Sequence, residues 1–426
     1  MEGKMKLLLL ILLSLSTSAA LADSAYKVHE WGTFTSLVGS DGTRQEGMFH
    51  EDEVLPKFVH NFGEQLSQFA PHIGVMAVQP LPLPTPRPPR RSCGQHSKVG
   101  CEFLEGQSIT QKMETPVLYF HSSIPRNVTV DVGFPTGIIS QTFPAPVISY
   151  PLPLVGMSLT KGFARFKVDI LTNTKLRPPE VSKGNIYAHA RAVNANTIKS
   201  QNEVEKFIFY RGLGKFETKL FITSNNGNIS VKNISKNNIA QAFLVDTNEL
   251  GGSIVSLGSF ANNKTKNISD KEIQSLKNNH RPFSVFASSA KALLTKSLVT
   301  DGLYLDEAEA MVNTWEHGYF HTPGLRVLYL LNRNEVESLL PMTITPMPEE
   351  LNRVFVGRIE VLRDIEEDQI LAQILKEKES FDVLALGRFA PSIISRVYQV
   401  AKERAVLDSK LQFLFDQYNL KIAENM

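Results

Sequence analysis

Lys112-Met113-Glu114-Thr115-Pro116-Val117-Leu118-Tyr119-Phe120-His121 is an apolar, aromatic run that carries one carboxylate and closes on a histidine. With a two-residue period, Glu114, Pro116, Leu118 and Phe120 share one face of a strand, and Met113, Thr115, Val117 and Tyr119 the other. Pro116 has no N–H for a ladder, which predicts a place at the strand start or on a sheet edge. Glu114 is then expected on an apolar face near a strand end, where a lone carboxylate is costly unless paired.

Upstream, Tyr26-Lys27-Val28-His29-Glu30-Trp31-Gly32-Thr33-Phe34-Thr35 has a similar character. As a strand it sets Val28, Glu30 and Phe34 on one face and His29, Trp31 and Thr33 on the other, so a second carboxylate shares a side with apolar residues. Downstream, the period stays near two to about residue 260. Val128, Val130, Val132 and Phe134 alternate with polar or small residues, as do Ala164, Phe166, Val168 and Ile170, then Phe207, Phe209 and Arg211. Asn225-Asn226-Gly227-Asn228 lies between Leu220-Phe221-Ile222 and Ile229-Ser230-Val231. Its Asn-Gly supplies the positive φ of a tight hairpin turn. Short strands punctuated by Pro and Gly predict a β-sandwich-like unit over residues 23–265.

Residues 266–426 change character. Ser269-Asp270-Lys271-Glu272 fits a capping box, and helical spacing follows at 285–298 and 305–315. Ile370, Leu371 and Ile374, then Leu411, Phe413, Leu414 and Phe415, mark amphipathic helices. Two strand-like runs, 325–331 and 353–362, are expected to join the β core. The fold class expected is α+β: a β-sandwich-like N-terminal and central core followed by a mainly helical C-terminal part. Two stretches stand outside this pattern. Val54, Phe58, Phe62, Leu66 and Phe69 have near-helical spacing, and 79–91 is a polyproline-like connector.

The chain of 426 residues can bury a large core, and its formal net charge of +2 argues against a dedicated nucleic-acid binder. Lys4 and Lys6, the apolar run 7–13 and Ala20-Leu21-Ala22 form the three parts of a secretory signal, with cleavage expected after Ala22. No later apolar stretch has the length of a membrane span, so a periplasmic or secreted mature protein is expected. The two cysteines, Cys93 and Cys101, lie close together in a polar loop, and in an oxidising compartment that spacing predicts a local disulfide. A metal site there would need more ligands than His96 supplies.

Several blocks occur in one order: His29-Glu30-Trp31-Gly32-Thr33-Phe34-Thr35, Met113 to Phe120, Glu205 to Gly214, Gly302 to Trp315, Gly324 to Tyr329 and Arg353 to Arg358. As a set they resemble a family of exported bacterial proteins of uncharacterised activity that opens on this His-Glu-Trp-Gly-Thr-Phe-Thr block. The resemblance runs to about residue 362 and implies a bacterial cell-envelope setting. It carries no catalytic residues.

The residues themselves offer three kinds of chemistry. Glu30, Glu114 and Arg211 each fall on the apolar side of a strand, where two carboxylates could serve acid/base work on a glycan or an ion-pair network could fix strand order. His29 and His121 extend that set. His317 and His321 have metal-ligand spacing at a helix end, but Glu316 precedes the first histidine, so the zinc-hydrolase H-E-x-x-H pattern is absent. A third ligand such as His29 or His121 would have to come from elsewhere in the chain. Trp31, Tyr119, Tyr210 and Trp315 could line a ligand-binding cleft or fill the core. No cofactor is called for by a motif, and zinc is the one metal these residues suggest. The leading expectation is a non-catalytic envelope protein that binds a polymer or a partner protein. The alternative is a hydrolase of envelope glycans or peptides, with carboxylates and a metal as its tools.

Overall fold

The computed structural model describes residues 25–48, 50, 54–61, 108–150 and 160–425. The expected signal segment, the connector 79–91, the Cys93–Cys101 pair and most of the 53–69 stretch lie outside the described residues. In chain order the strands are β1 (Tyr26–Val38), β2 (His60–Asn61), β3 (Gln111–Ser122), β4 (Arg126–Phe134), β5 (Gly137–Phe143), β6 (Ile148–Tyr150), β7 (Gly162–Leu171), β8 (Thr197–Ser200), β9 (Glu203–Glu205) and β10 (Phe207–Gly214). There follow β11 (Leu220–Asn225), β12 (Asn228–Asn233), β13 (Ile239–Asn248), β14 (Gly251–Phe260), β15 (Thr265–Ile268), β16 (Arg281–Pro282), β17 (Gly324–Leu330), β18 (Met342–Thr345) and β19 (Glu350–Val361). The helices are α1 (Asp270–Asn278), α2 (Phe283–Thr300), α3 (Leu305–Trp315), α4 (Arg333–Leu339), α5 (Asp364–Glu377), α6 (Ala390–Glu403) and α7 (Ser409–Asn425). The fold is α+β.

A ten-stranded sheet organises the molecule, in the order β16-β14-β13-β17-β19-β1-β3-β10-β5-β2. Its strands pair antiparallel except β1 with β19, which run parallel. One face packs on a six-stranded sheet (β18-β4-β7-β8-β9, with β6 beside β7) and a three-stranded one (β11-β12-β15). The core between them holds Val28, Phe34, Leu118 and Phe120 against Val130, Phe166, Ile222 and Val231. The other face carries Trp31, Val117, Tyr119, Phe207 and Phe209 and is covered by α2 and α3. α5, α6 and α7 enclose a third cluster around Ile374, Ile394 and Phe415. The sandwich expectation thus holds for one side of the sheet, with helices on the other.

The change of pattern near residue 265 does not divide the sheet. β17 and β19 occupy interior positions, and β19 lies directly beside β1. β18 lies between Pro341 and Pro346, in the segment that joins the two strand-like runs, and pairs with β4. Residues 54–61 form turns and the short β2 in place of a helix, with β2 closing one edge against β5.

The opening stretch departs from its expected geometry at one residue. Thr115 has φ of 48°, a left-handed conformation that costs a β-branched side chain energy, and the pairing of β3 with both neighbours slips there. The slip changes the parity of the strand. Met113 joins Leu118 and Phe120 in the sheet–sheet core, whereas Glu114 turns to the helical side with Val117 and Tyr119. It also explains how Pro116 sits inside an interior strand: at a bulge, no ladder bond is asked of its nitrogen. Gly32 of β1 accommodates the irregularity, since a Cβ there would meet Phe355 Cε1 at 2.5 Å and Pro116 Cγ at 3.1 Å.

Candidate metal centre

β1 and β3 pair with Lys27 opposite His121 and His29 opposite Tyr119, so the two histidines are diagonal neighbours on the helix-covered face. α3 starts against that end of the sheet. Tyr304 is its N-cap, and Glu307, three residues on, folds its carboxylate back so that Oε2 accepts the Tyr304 backbone N–H at 2.8 Å. The same Oε2 accepts from His29 Nδ1 at 2.8 Å, and Oε1 accepts from His121 Nε2 at 2.9 Å. One ligand atom from each of His29, His121 and Glu307 lies within 4.8 Å of the other two. The Tyr304 ring covers both imidazoles, with centroids 4.4 Å from His29 and 5.0 Å from His121.

The side chains of His29 and Glu307 are fully buried, while 16% of the His121 side chain is exposed. Burial pushes the Glu307 carboxyl up, but the hydrogen bonds from His121, His29 and the Tyr304 N–H outweigh it and hold the group down at about 2. The positive end of α3 favours the same anion. On its far side, His29 Nε2 faces Asn352 Nδ2 at 3.4 Å and Glu350 Oε1 at 3.8 Å.

Two imidazole nitrogens and a carboxylate oxygen are the donor set of hydrolytic zinc sites, in which three protein ligands leave a coordination position open. These three residues fit such an ion by donor type and by mutual distance. Of the three side chains His121 is the one that is partly exposed, so an open position on its side would meet solvent. A groove of about 600 Å³ between α2 and α3 is lined by Leu305, Glu309 and Val312, on the side of α3 away from Glu307.

The other candidate residues separate. Glu30 is fully buried on the sheet–sheet side, where Arg353 Nε donates to it at 2.6 Å and the Tyr210 hydroxyl also donates. Burial raises its pKa against the pull of Arg353. Glu114 meets Lys112 Nζ at 3.4 Å, Arg388 Nη1 at 3.5 Å and the Tyr319 hydroxyl at 3.4 Å. Arg211 follows Tyr210 on β10 and points to the opposite face, its guanidinium 5.7 Å from the Phe209 ring. Glu30, Glu114 and Arg211, each expected on the apolar side of a strand, therefore do not form one group: Glu30 faces the sheet–sheet core and the other two face the helical side. Trp31, Tyr119, Tyr210 and Trp315 are at most 2% exposed and fill the cores.

His317 and His321 lie on the π-helical turn after α3, with the His321 ring stacked on Phe283 at 4.3 Å. Among the described residues the one group of three metal-ligand side chains within reach is His29, His121 and Glu307. The pair at 317 and 321 is not part of it, and the two histidines considered as distant third ligands are its core. Sequence reasoning missed Glu307. Its signal was the glutamate three residues after the start of a helical pattern, obscured because tyrosine is a poor N-cap. No family model matches this chain, and no curated protein is similar to it.

Proposed function

We propose that this chain is an exported metalloprotein of the bacterial cell envelope. It holds one divalent transition-metal ion, zinc first among them, between His29, His121 and Glu307, and uses it to hydrolyse envelope glycan or peptide bonds. The observation that carries the reading is the convergence of these three side chains from β1, β3 and α3. The export part rests on the tripartite N-terminus and on the resemblance to exported proteins. When bound, such an ion lowers the pKa of its water and polarises a carbonyl or glycosidic oxygen. Glu307 stays ionised across the physiological range, as a ligand must. Its tie to the Tyr304 N–H fixes the carboxylate before any ion arrives. Buried His29 is locked in orientation, and His121 stands at the open side. A polymer-binding role without chemistry gains less support, because the aromatic residues that would form its platform are inside the protein.

The test is to incubate zinc-loaded and chelator-treated chain with purified envelope glycan strands and with envelope peptides. Product release that needs zinc and disappears in Glu307→Gln supports the hydrolytic reading. Equal results with and without metal on both substrates contradict it.

A further inference from the structure

We infer, resting on the metal reading above, that Glu350 is the positioning carboxylate of His29, receiving its Nε2–H when Nδ1 faces an ion. A carboxylate oxygen only accepts, so the His29 Nδ1 contact to Glu307 at 2.8 Å places the ring hydrogen on Nδ1. Nε2 then carries a lone pair and faces the Asn352 amide nitrogen at 3.4 Å. That amide is oriented by two better acceptors, Glu350 Oε1 at 2.6 Å and the Gly302 carbonyl at 3.1 Å. Its two hydrogens are committed to them, and His29 Nε2 is served last.

An ion bound at Nδ1 needs the lone pair there, so the hydrogen must move to Nε2. With the amide nitrogen unable to accept it, the acceptor in reach is Glu350 Oε1, 3.8 Å away. That is too long for a hydrogen bond, but Glu350 is the first residue of β19 and its side chain is 38% exposed. It has room to close the gap. Lys27, opposite it in the β1–β19 pairing, holds its other oxygen at 2.6 Å and keeps the carboxylate beside the ring. The result would be a carboxylate–histidine–metal relay, which fixes ring orientation and strengthens the ligand.

The test is a calorimetric zinc titration of the full mature chain and of Glu350→Leu, with nitrogen-15 NMR of the His29 ring before and after zinc. The expected result is a 10–100-fold weaker zinc affinity in the variant, the loss typical for such outer carboxylates. In the wild type, the ring hydrogen should move from Nδ1 to Nε2 on loading. Wild-type affinity in Glu350→Leu, or a hydrogen that stays on Nδ1 in the loaded wild type, overturns the inference while leaving the metal site standing. A wild-type chain that takes up no zinc overturns the metal reading and this inference with it. If Glu350→Leu melts early without metal, Glu350→Gln carries the test: it keeps a carbonyl acceptor, so a smaller but measurable loss is expected, and none would be contradictory.

Discussion

The carboxylate of Glu307, in the first turn of α3, accepts a 2.8 Å hydrogen bond from His29 on β1, 278 residues earlier in the chain. This contact ties the helix to the sheet and makes stability depend on pH in a defined direction. Glu307 titrates at about 2 when folded, against an ordinary value of 4.5. The unfolded chain holds the proton over the interval between, so the contribution is complete above pH of about 5 and is lost as pH falls through the folded value. Its size is about 3 kcal/mol. Metal-free wild type should exceed Glu307→Gln in denaturant melts by that order at pH 6, and the gap should shrink by about half by pH 3. A gap independent of pH would contradict the assignment.

Glu30 and Arg353 form a second prediction. Both side chains are fully buried and meet at 2.6 Å, so removing either takes from the other its closest opposite charge, with Arg353 keeping the half-exposed Glu337 at 3.1 Å. Glu30→Leu or Arg353→Met alone should each cost about 3–5 kcal/mol. Glu30→Leu combined with Arg353→Met should recover most of that loss. A double-mutant cycle with no coupling would show that the pair does not hold β1 against β19.

Glu114 is placed among Lys112, Arg388 and Tyr319. Glu114→Gln is therefore expected to destabilise the fold by an amount on the order of 3 kcal/mol. A melt that finds the variant as stable as wild type, or more so, would point to a strained functional carboxylate instead.

The limits of sequence reading are visible in these residues. The Asn226-Gly227 hairpin, α2, α3 and the capping box of α1 were legible because each depends on neighbours in the chain. So was the two-residue alternation that put His29 and Trp31 on one face of β1. The bulge at Thr115 left no trace, since nothing beside it in the chain signals a positive φ at a β-branched residue. Missing it misplaced Glu114 and made Pro116 look like an edge residue. The candidate centre was half legible. His29 and His121 stood out as histidines on apolar strands, but nothing local joins them to Glu307, which reaches them only once α3 docks on the sheet.

That bulge yields its own prediction. Gly32→Ala would put a methyl group 2.5 Å from Phe355 Cε1 and 2.9 Å from Cζ, and Phe355 is fully buried. With little room for the ring to move, the substitution should cost about 1–3 kcal/mol. An alanine variant with an unchanged melting temperature would mean that β1 and β3 pair without this close approach.

The central claim is the metal site, and its most direct measurement is metal content. The chain, exported by a bacterial host and purified without an affinity tag or chelator, should carry close to one zinc or other transition-metal ion per molecule by plasma mass spectrometry. His29→Ala, His121→Ala and Glu307→Ala should each lose it, while His317→Ala and His321→Ala keep it. A folded wild-type chain that holds no metal, and takes none up from micromolar zinc, would contradict the account.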